Sequence, residues 1–215
     1  MSNDFCMPSK AGEYPSDCEV REGYRALVRE KTSRETRSKS WQQALPKAKT
    51  IKLLLLDVDG VLTDGNLIYS HDGKESKSFN TQDGFGLRML QDSGVEVGII
   101  TARNSEALVR RASDLKITHL YQGSSNKLEA YKEICKKTGF KPFEISYMGD
   151  DWLDLVLLKR VGLSVAPANA VIEVKEIVHY VTSQGGGQGA VREICDLILS
   201  AREEHNKLLQ QYMSR

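Results

Sequence analysis

Apolar positions are thin and scattered before residue 50 and gather into short, dense, evenly spaced runs after it. Six of these runs are Leu-rich or β-branched and read as strands: Ile51–Leu56, Val95–Ile100, Ile117–Tyr121, Ile145–Met148, Leu163–Val165 and Ile177–Val181. The intervals Gly84–Ser93, Ser105–Leu115, Lys127–Thr138, Asp151–Val161 and Ala170–Glu173 read as helices, and residues 191–209 as a closing helix with Val191, Ile194, Cys195, Ile198 and Leu199 at helical spacing. Strand and helix alternating at this spacing predict an α/β fold with a doubly wound, mainly parallel Rossmann-like sheet covered on both faces. One interval breaks the alternation. Between Thr63 and Asp83 two extended segments flank His71-Asp72-Gly73, a hairpin signal. That predicts a β-hairpin flap directly after the first strand, too short to be a cap domain.

Before residue 50 the chain is rich in Ser, Lys, Arg and Glu, and Tyr24, Leu27 and Val28 are too few to close a core. Residues 1–49 therefore read as a polar arm, with a polar helix over 17–44, a solvated basic stretch Arg34–Lys39 and a linker at Pro46-Lys47. Residues 50–205 read as the folded domain and 206–215 as a tail. The charge is balanced, 30 Lys+Arg against 29 Asp+Glu, which argues against nucleic-acid binding through phosphate neutralisation. The longest apolar runs, Leu53–Leu56 and Leu155–Leu158, fall far short of a bilayer span, and no secretory h-region opens the chain, so no membrane partner is expected. Cys6, Cys18, Cys135 and Cys195 are scattered and lack neighbouring His, which predicts free thiols and a cytoplasmic location.

In an open α/β sheet the ligand sits beyond the carboxyl ends of the strands. There the chain carries Asp57-Val58-Asp59-Gly60 after the first strand, Thr101-Ala102-Arg103 after the second, Lys127 after the third, and Gly149-Asp150-Asp151 after the fourth, with Asp154 one turn later. Carboxylates so gathered repel one another, and a cation is the simplest way to keep them ionised together. Oxygen-only donors select a hard ion, Mg²⁺ where waters and a phosphate complete the octahedron. Of the two aspartates spaced by one residue, the first can attack phosphorus and the second can donate and later accept a proton, since Gly60 permits the turn that aims both. Thr101 and Lys127 suit the transferring phosphoryl oxygens. A lone DxD is common in turns, and each of the other residues has a structural role available. The order strand–DxDG, strand–T, K, strand–GDDxxD is what carries the reading.

These blocks resemble the haloacid dehalogenase superfamily over residues 50–205. That resemblance implies Asp57 as nucleophile and Asp59 as general acid/base. It implies Mg²⁺ on Asp57, the Asp59 backbone carbonyl and Asp150, with Asp151 and Asp154 in support, and phosphoryl binding by Thr101 and Lys127. Within the superfamily, DVDGVLTDG, ITHLYQGSSNK, YMGDDWLDL, VGLSVAPANA and GGGQGAVREICDLIL are similar to the capless phosphatases of 3-deoxy-D-manno-octulosonate (KDO) 8-phosphate, which serve lipopolysaccharide precursor synthesis. This implies a small phosphorylated sugar acid as substrate, bound with the help of Gly60, Arg103 and Arg192. It also implies a homotetramer assembled by the hairpins, in which the Gly-rich segment Gly185–Glu193 can close over a neighbouring subunit's site. Ala102 stands where the family often has Gly, and the arm is longer than the compact family enzyme needs. Two alternatives stay open: a phosphatase for a nine-carbon sialic-acid-type phosphate or another small phosphorylated metabolite, and an oligomerisation module with weak catalysis.

Overall fold

The computed structural model describes residues 16, 18–20, 22–24 and 38–214. Most of the expected polar helix over 17–44, and Arg34 and Arg37 of the basic stretch, lie outside them. The first numbered helix, α1 (Lys39–Ala48), starts at Ser38, whose side chain accepts the Trp41 N–H, and runs through Pro46 and Lys47 without a break. The linker expected there is thus the last turn of a helix. Trp41, Ala44 and Ala48 lie at i, i+3 and i+7, are buried, and join the main core cluster. Tertiary burial of that stripe outweighs the Pro46 signal, which in a final turn removes little.

The expected α/β sheet is present. Strands β1 (Leu53–Leu56), β4 (Glu96–Ile100), β5 (His119–Tyr121), β6 (Ile145–Met148), β7 (Leu163–Ala166) and β8 (Tyr180–Val181) form one sheet in the order β5-β4-β1-β6-β7-β8. Every pairing in it is parallel. The four leucines of β1 are fully buried and split by the strand's two-residue period: Leu54 and Leu56 enter one core cluster, Leu53 and Leu55 the other. A central strand buried on both faces is what an unbroken Leu run requires. The helices α2 (Thr81–Asp92), α3 (Glu106–Asp114), α4 (Lys127–Thr138), α5 (Leu155–Leu158), α6 (Ile172–Ile177), α7 (Ala190–Ala201) and α8 (His205–Met213) complete the fold. β2 (Ile68–Tyr69) and β3 (Glu75–Ser76) pair antiparallel as the predicted hairpin, separate from the main sheet.

Three elements differ from expectation. The helix expected at 151–161 is a 3₁₀ turn, Trp152–Asp154, followed by the four-residue α5. Ile177 ends α6 instead of opening a strand. The closing helix breaks into α7 and α8 at residues 202–204, where Glu203 has φ 62°. Cys18 is disulfide-bonded while Cys135 and Cys195 are free. The expectation of free thiols throughout is therefore corrected at Cys18, because proximity in space, not spacing along the chain, decides pairing. No helix among the described residues is long and apolar enough to cross a membrane.

After β5 the chain returns to the far side of β1, so the strand order reverses at β1 and its carboxyl end opens a crevice.

Candidate active site

The crevice collects side chains from four strand ends. Asp57 follows β1 and its N–H donates to the Met148 carbonyl (3.0 Å), which ties the β1 exit to β6. Asp150 follows β6. Gly60, at φ +86°, turns the chain back so closely that a Cβ there would overlap the Asp150 carboxylate. Thr101 follows β4 and is buried; its Oγ1 accepts the Arg103 N–H at 3.3 Å. Lys127 is the first residue of α4, whose N-cap Asn126 accepts the Leu128 N–H (3.2 Å). That cap aims the Lys127 stem into the crevice, where the side chain is only 2% exposed.

Lys127 Nζ sits 3.0 Å from Asp57 Oδ1 and 2.5 Å from Asp154 Oδ1. Asp154, fully buried, spends both oxygens. Oδ1 takes Lys127 and the Tyr147 hydroxyl (2.5 Å), while Oδ2 accepts the N–H groups of Asp150 (2.9 Å) and Asp151 (3.2 Å). Tyr147 Oη also accepts from Lys127 Nζ at 3.2 Å. Asp151 accepts the Trp152 N–H (2.7 Å) and caps the 3₁₀ turn.

Carboxylate oxygens of Asp57, Asp150 and Asp154 lie within 4.8 Å of one another. Burial raises Asp57 to about 6, against the pull of Lys127. Burial, followed by the charges of Asp154 and Asp57, raises Asp150 to about 7. Burial works to lower the Lys127 ammonium, but Asp57 and Asp154 outweigh it and hold the group above the usual lysine value. Asp150 Oδ1 is buried without a hydrogen-bond partner. An orphaned carboxylate oxygen beside a second carboxylate, both strained toward protonation, fits a hard divalent cation between Asp57 and Asp150, with Asp154 already saturated by donors.

Asp59 points elsewhere. Its Oδ1 pairs with Lys77 of the hairpin, and its Oδ2 lies 3.6 Å from Arg103 Nε. Arg103 also binds Glu75 through Nη2 and reaches the Tyr69 hydroxyl at 3.2 Å. Lys77 and Glu75 belong to no motif in the sequence. Their i, i+2 spacing on an extended flap was the available signal, since it puts both on one face. Tyr147 looked like strand core and gave no signal.

The structure brings together Asp57, Asp150, Asp154, Thr101, Lys127 and Gly60, with Asp59 and Arg103 on the flap side. Arg192 stands apart. Its N–H donates to Asp83 Oδ1 (2.7 Å), its Nε pairs with Asp196 (2.9 Å), and its guanidinium covers the Phe85 ring. The Gly-rich segment docks on its own chain. The Gly187 N–H donates to the Val61 carbonyl (3.0 Å), the Gly186 N–H to Asn169 Oδ1 (2.6 Å), and Asn169 Nδ2 to the Gly60 carbonyl (2.9 Å). A Cβ on Gly186 would overlap the Gly60 carbonyl, so only glycine allows this approach.

An open sheet with paired aspartates at the end of its central strand, a buried lysine and an acidic fourth strand end defines an aspartate-based hydrolase class. The haloacid dehalogenase-like hydrolase family matches over residues 113–194, and the chain belongs to that family. Its relatives there include the 3-deoxy-D-manno-octulosonate 8-phosphate phosphatase KdsC of Escherichia coli K12, 47% identical over 158 residues, 74% of this chain and 84% of that protein. The enzyme of the same name from Yersinia pestis is 47% identical over 74% of this chain and 86% of that protein. Its crystal structure superposes with a TM-score of 0.75 at 46% identity, covering 76% and 89% of the two chains. The Moraxella catarrhalis enzyme, solved with magnesium ion, phosphate ion and KDO, superposes with a TM-score of 0.77 at 40% identity, covering 78% and 97%.

Proposed function

We propose that this chain is a Mg²⁺-dependent phosphomonoester hydrolase that converts 3-deoxy-D-manno-octulosonate 8-phosphate to the free sugar acid and phosphate, a step toward lipopolysaccharide. The observation that carries the chemistry is the Asp57 carboxylate, at the carboxyl end of β1, seated 3.0 Å from the buried Lys127 ammonium. The names of the relatives that match most of their length carry the substrate.

In this reading an Asp57 oxygen attacks the phosphorus. The bond from phosphorus to the sugar oxygen breaks as Asp59 gives that oxygen a proton. Asp59, now ionised, takes a proton from water. The water oxygen attacks the aspartyl phosphate, and the bond from phosphorus to Asp57 breaks to release phosphate. Lys127 and the Thr101 hydroxyl hold the phosphoryl oxygens and spread their charge. Asp57, Asp150 and the Asp59 backbone carbonyl would hold Mg²⁺, which would supply charge neutralisation for the carboxylates and the phosphoryl group. Asp154 fixes Lys127 and the backbone of Asp150 and Asp151, and Asp151 shapes the 3₁₀ turn. Gly60 gives close backbone approach and Arg103 meets the sugar carboxylate at the flap, while Arg192, which stands apart from its own crevice, would serve substrate binding in a neighbouring subunit's site.

The same reading makes the enzyme a cytoplasmic homotetramer. Leu67, Ile68 and Tyr69 of the hairpin, each 45–57% exposed, are the apolar surface that assembly would bury. The test is phosphate release from KDO 8-phosphate, nine-carbon sugar-acid phosphates and hexose phosphates, with and without Mg²⁺. A Mg²⁺-dependent preference for KDO 8-phosphate is expected. Equal rates across the panel would overturn the substrate, and substantial turnover by Asp57→Asn would overturn the nucleophile.

A further inference from the structure

Lys77 has an unusual position for a hairpin lysine. Such residues are normally solvated, yet Lys77 keeps only 2% of its side chain exposed, as little as Lys127. An ammonium removed from water costs several kcal/mol unless it is paired. Its partners are Asp59, through Oδ1, and Glu75, through Oε1 at 3.1 Å. Arg103 closes the arrangement by pairing with Glu75 and facing Asp59 Oδ2. Asp59, Lys77, Glu75 and Arg103 thus form a ring of two positive and two negative groups. The ring ties the exit of β1, the flap and the exit of β4 into one unit.

This ring has a consequence for Asp59. Its short side chain sits in a turn and is not a member of the carboxylate cluster of Asp57, Asp150 and Asp154. Lys77 holds one oxygen and Arg103 faces the other, so both the direction and the plane of the carboxyl are set from outside the cluster. We propose that Lys77 is the positioning residue for Asp59: the flap ammonium holds Oδ1, and Oδ2, which only faces Arg103 at 3.6 Å, carries the proton to the leaving oxygen of the substrate. The proposal rests on the reading of Asp59 as the acid–base group. The flap is then part of the acid–base machinery as well as an assembly surface. Removing Lys77 leaves Asp59 and Glu75 sharing Arg103 alone, with the Asp59 side chain free to turn.

The experiment compares two esters on the full-length protein with Mg²⁺: an alkyl sugar phosphate, whose leaving oxygen needs a proton, and a nitrophenyl phosphate, whose leaving group departs without one. For Lys77→Met, kcat on the alkyl ester is expected to fall about 10²-fold, while kcat on the aryl ester changes less than about fivefold. Lys77→Arg, which keeps the charge on a different reach, is expected to recover about tenfold of the alkyl loss. It also serves as the informative variant should Lys77→Met fold poorly. Asp59→Asn is run alongside and is expected to show the same selective loss. Equal losses on both esters in the Lys77 variants, with a selective loss in Asp59→Asn, would overturn the positioning role alone. No selectivity in Asp59→Asn would overturn the acid–base reading and the proposal with it.

Discussion

Asp154→Asn is the sharpest perturbation of the crevice because it changes one atom at a site where every acceptor is in use. Asp154 receives four donors, two on each oxygen: Lys127 Nζ and the Tyr147 hydroxyl at 2.5 Å each, and the Asp150 and Asp151 N–H groups at 2.9 and 3.2 Å. An amide offers a single acceptor oxygen. Whichever way it turns, its NH₂ faces two donors, and each buried donor left without a partner costs about 1–3 kcal/mol. Lys127 is left with Asp57 as its only carboxylate, and removing one member of a buried ion pair costs about 3–5 kcal/mol. These penalties describe the same lost contacts and do not add. Relief of repulsion on Asp57 and Asp150, both raised in part by the Asp154 charge, offsets some of the loss. The expected destabilisation is about 3–5 kcal/mol. For a chain of this size, each kcal/mol lowers the melting temperature by about 2–4 °C. The released Lys127 should also lower kcat by about 10²-fold, the scale set by misplacing a phosphate-holding group. Thermal melts and phosphate release, measured with Mg²⁺ on parent and variant, test both. In the double variant with Lys127→Met the two effects should be clearly less than additive. A melting temperature within about 2 °C of the parent, together with unchanged kcat, would refute the claim that Asp154 organises the crevice.

Other outcomes follow from single contacts. Gly60→Ala places a methyl group against the Asp150 carboxylate at a φ that disfavours it, and should weaken Mg²⁺ binding by about tenfold or more in titration and also lower the melting temperature in chelator by a few degrees, since alanine at such a φ costs more than about 1 kcal/mol. Parent-like affinity would mean that Asp150 tolerates displacement. With metal chelated, Asp57 and Asp150 titrate in the folded state near 6 and 7, above their ordinary value of 3.8. Folding therefore favours their protonated forms, and the stability they lend is present at low pH and is lost as pH rises through about 6 to 7. Mg²⁺ removes that loss, so its stabilisation of the fold should be larger at pH 8 than at pH 5; an equal shift at both would contradict the coupling. Trp41→Ala removes a buried ring set edge-on to Tyr180 at 6.0 Å, which should cost about 3–5 kcal/mol in denaturant unfolding. A loss below about 1 kcal/mol would return residues 39–48 to a solvated arm.

Patterns set by local periodicity were legible in the sequence. A run of four leucines can be satisfied only between two apolar layers, and strand–helix alternation at this spacing leaves a parallel sheet as the compact solution. Because ligands in such sheets meet the carboxyl ends of strands, Asp57, Thr101, Lys127 and Asp150 could be placed in one crevice before any distance was known. The hairpin was legible from His71-Asp72-Gly73, since the turn is encoded in the residues that make it. What only the tertiary structure decided depends on contacts between segments distant in sequence. Pro46 looked like a boundary until Trp41, Ala44 and Ala48 were seen buried against α7 and β8. Cys18 looked like a free thiol because a disulfide needs no local motif. The resemblance gave Asp154 only a supporting role, yet four donors converge on it from α4, β6 and the turn. Lys77 and Glu75 belong to no motif, yet they close a ring around Asp59. Residue type and spacing set which chemistry is available, because they act through the chain itself. Orientation, burial and the pairing of charges belong to the folded packing, because the Coulomb and desolvation energies that govern them depend on neighbours that only the fold supplies.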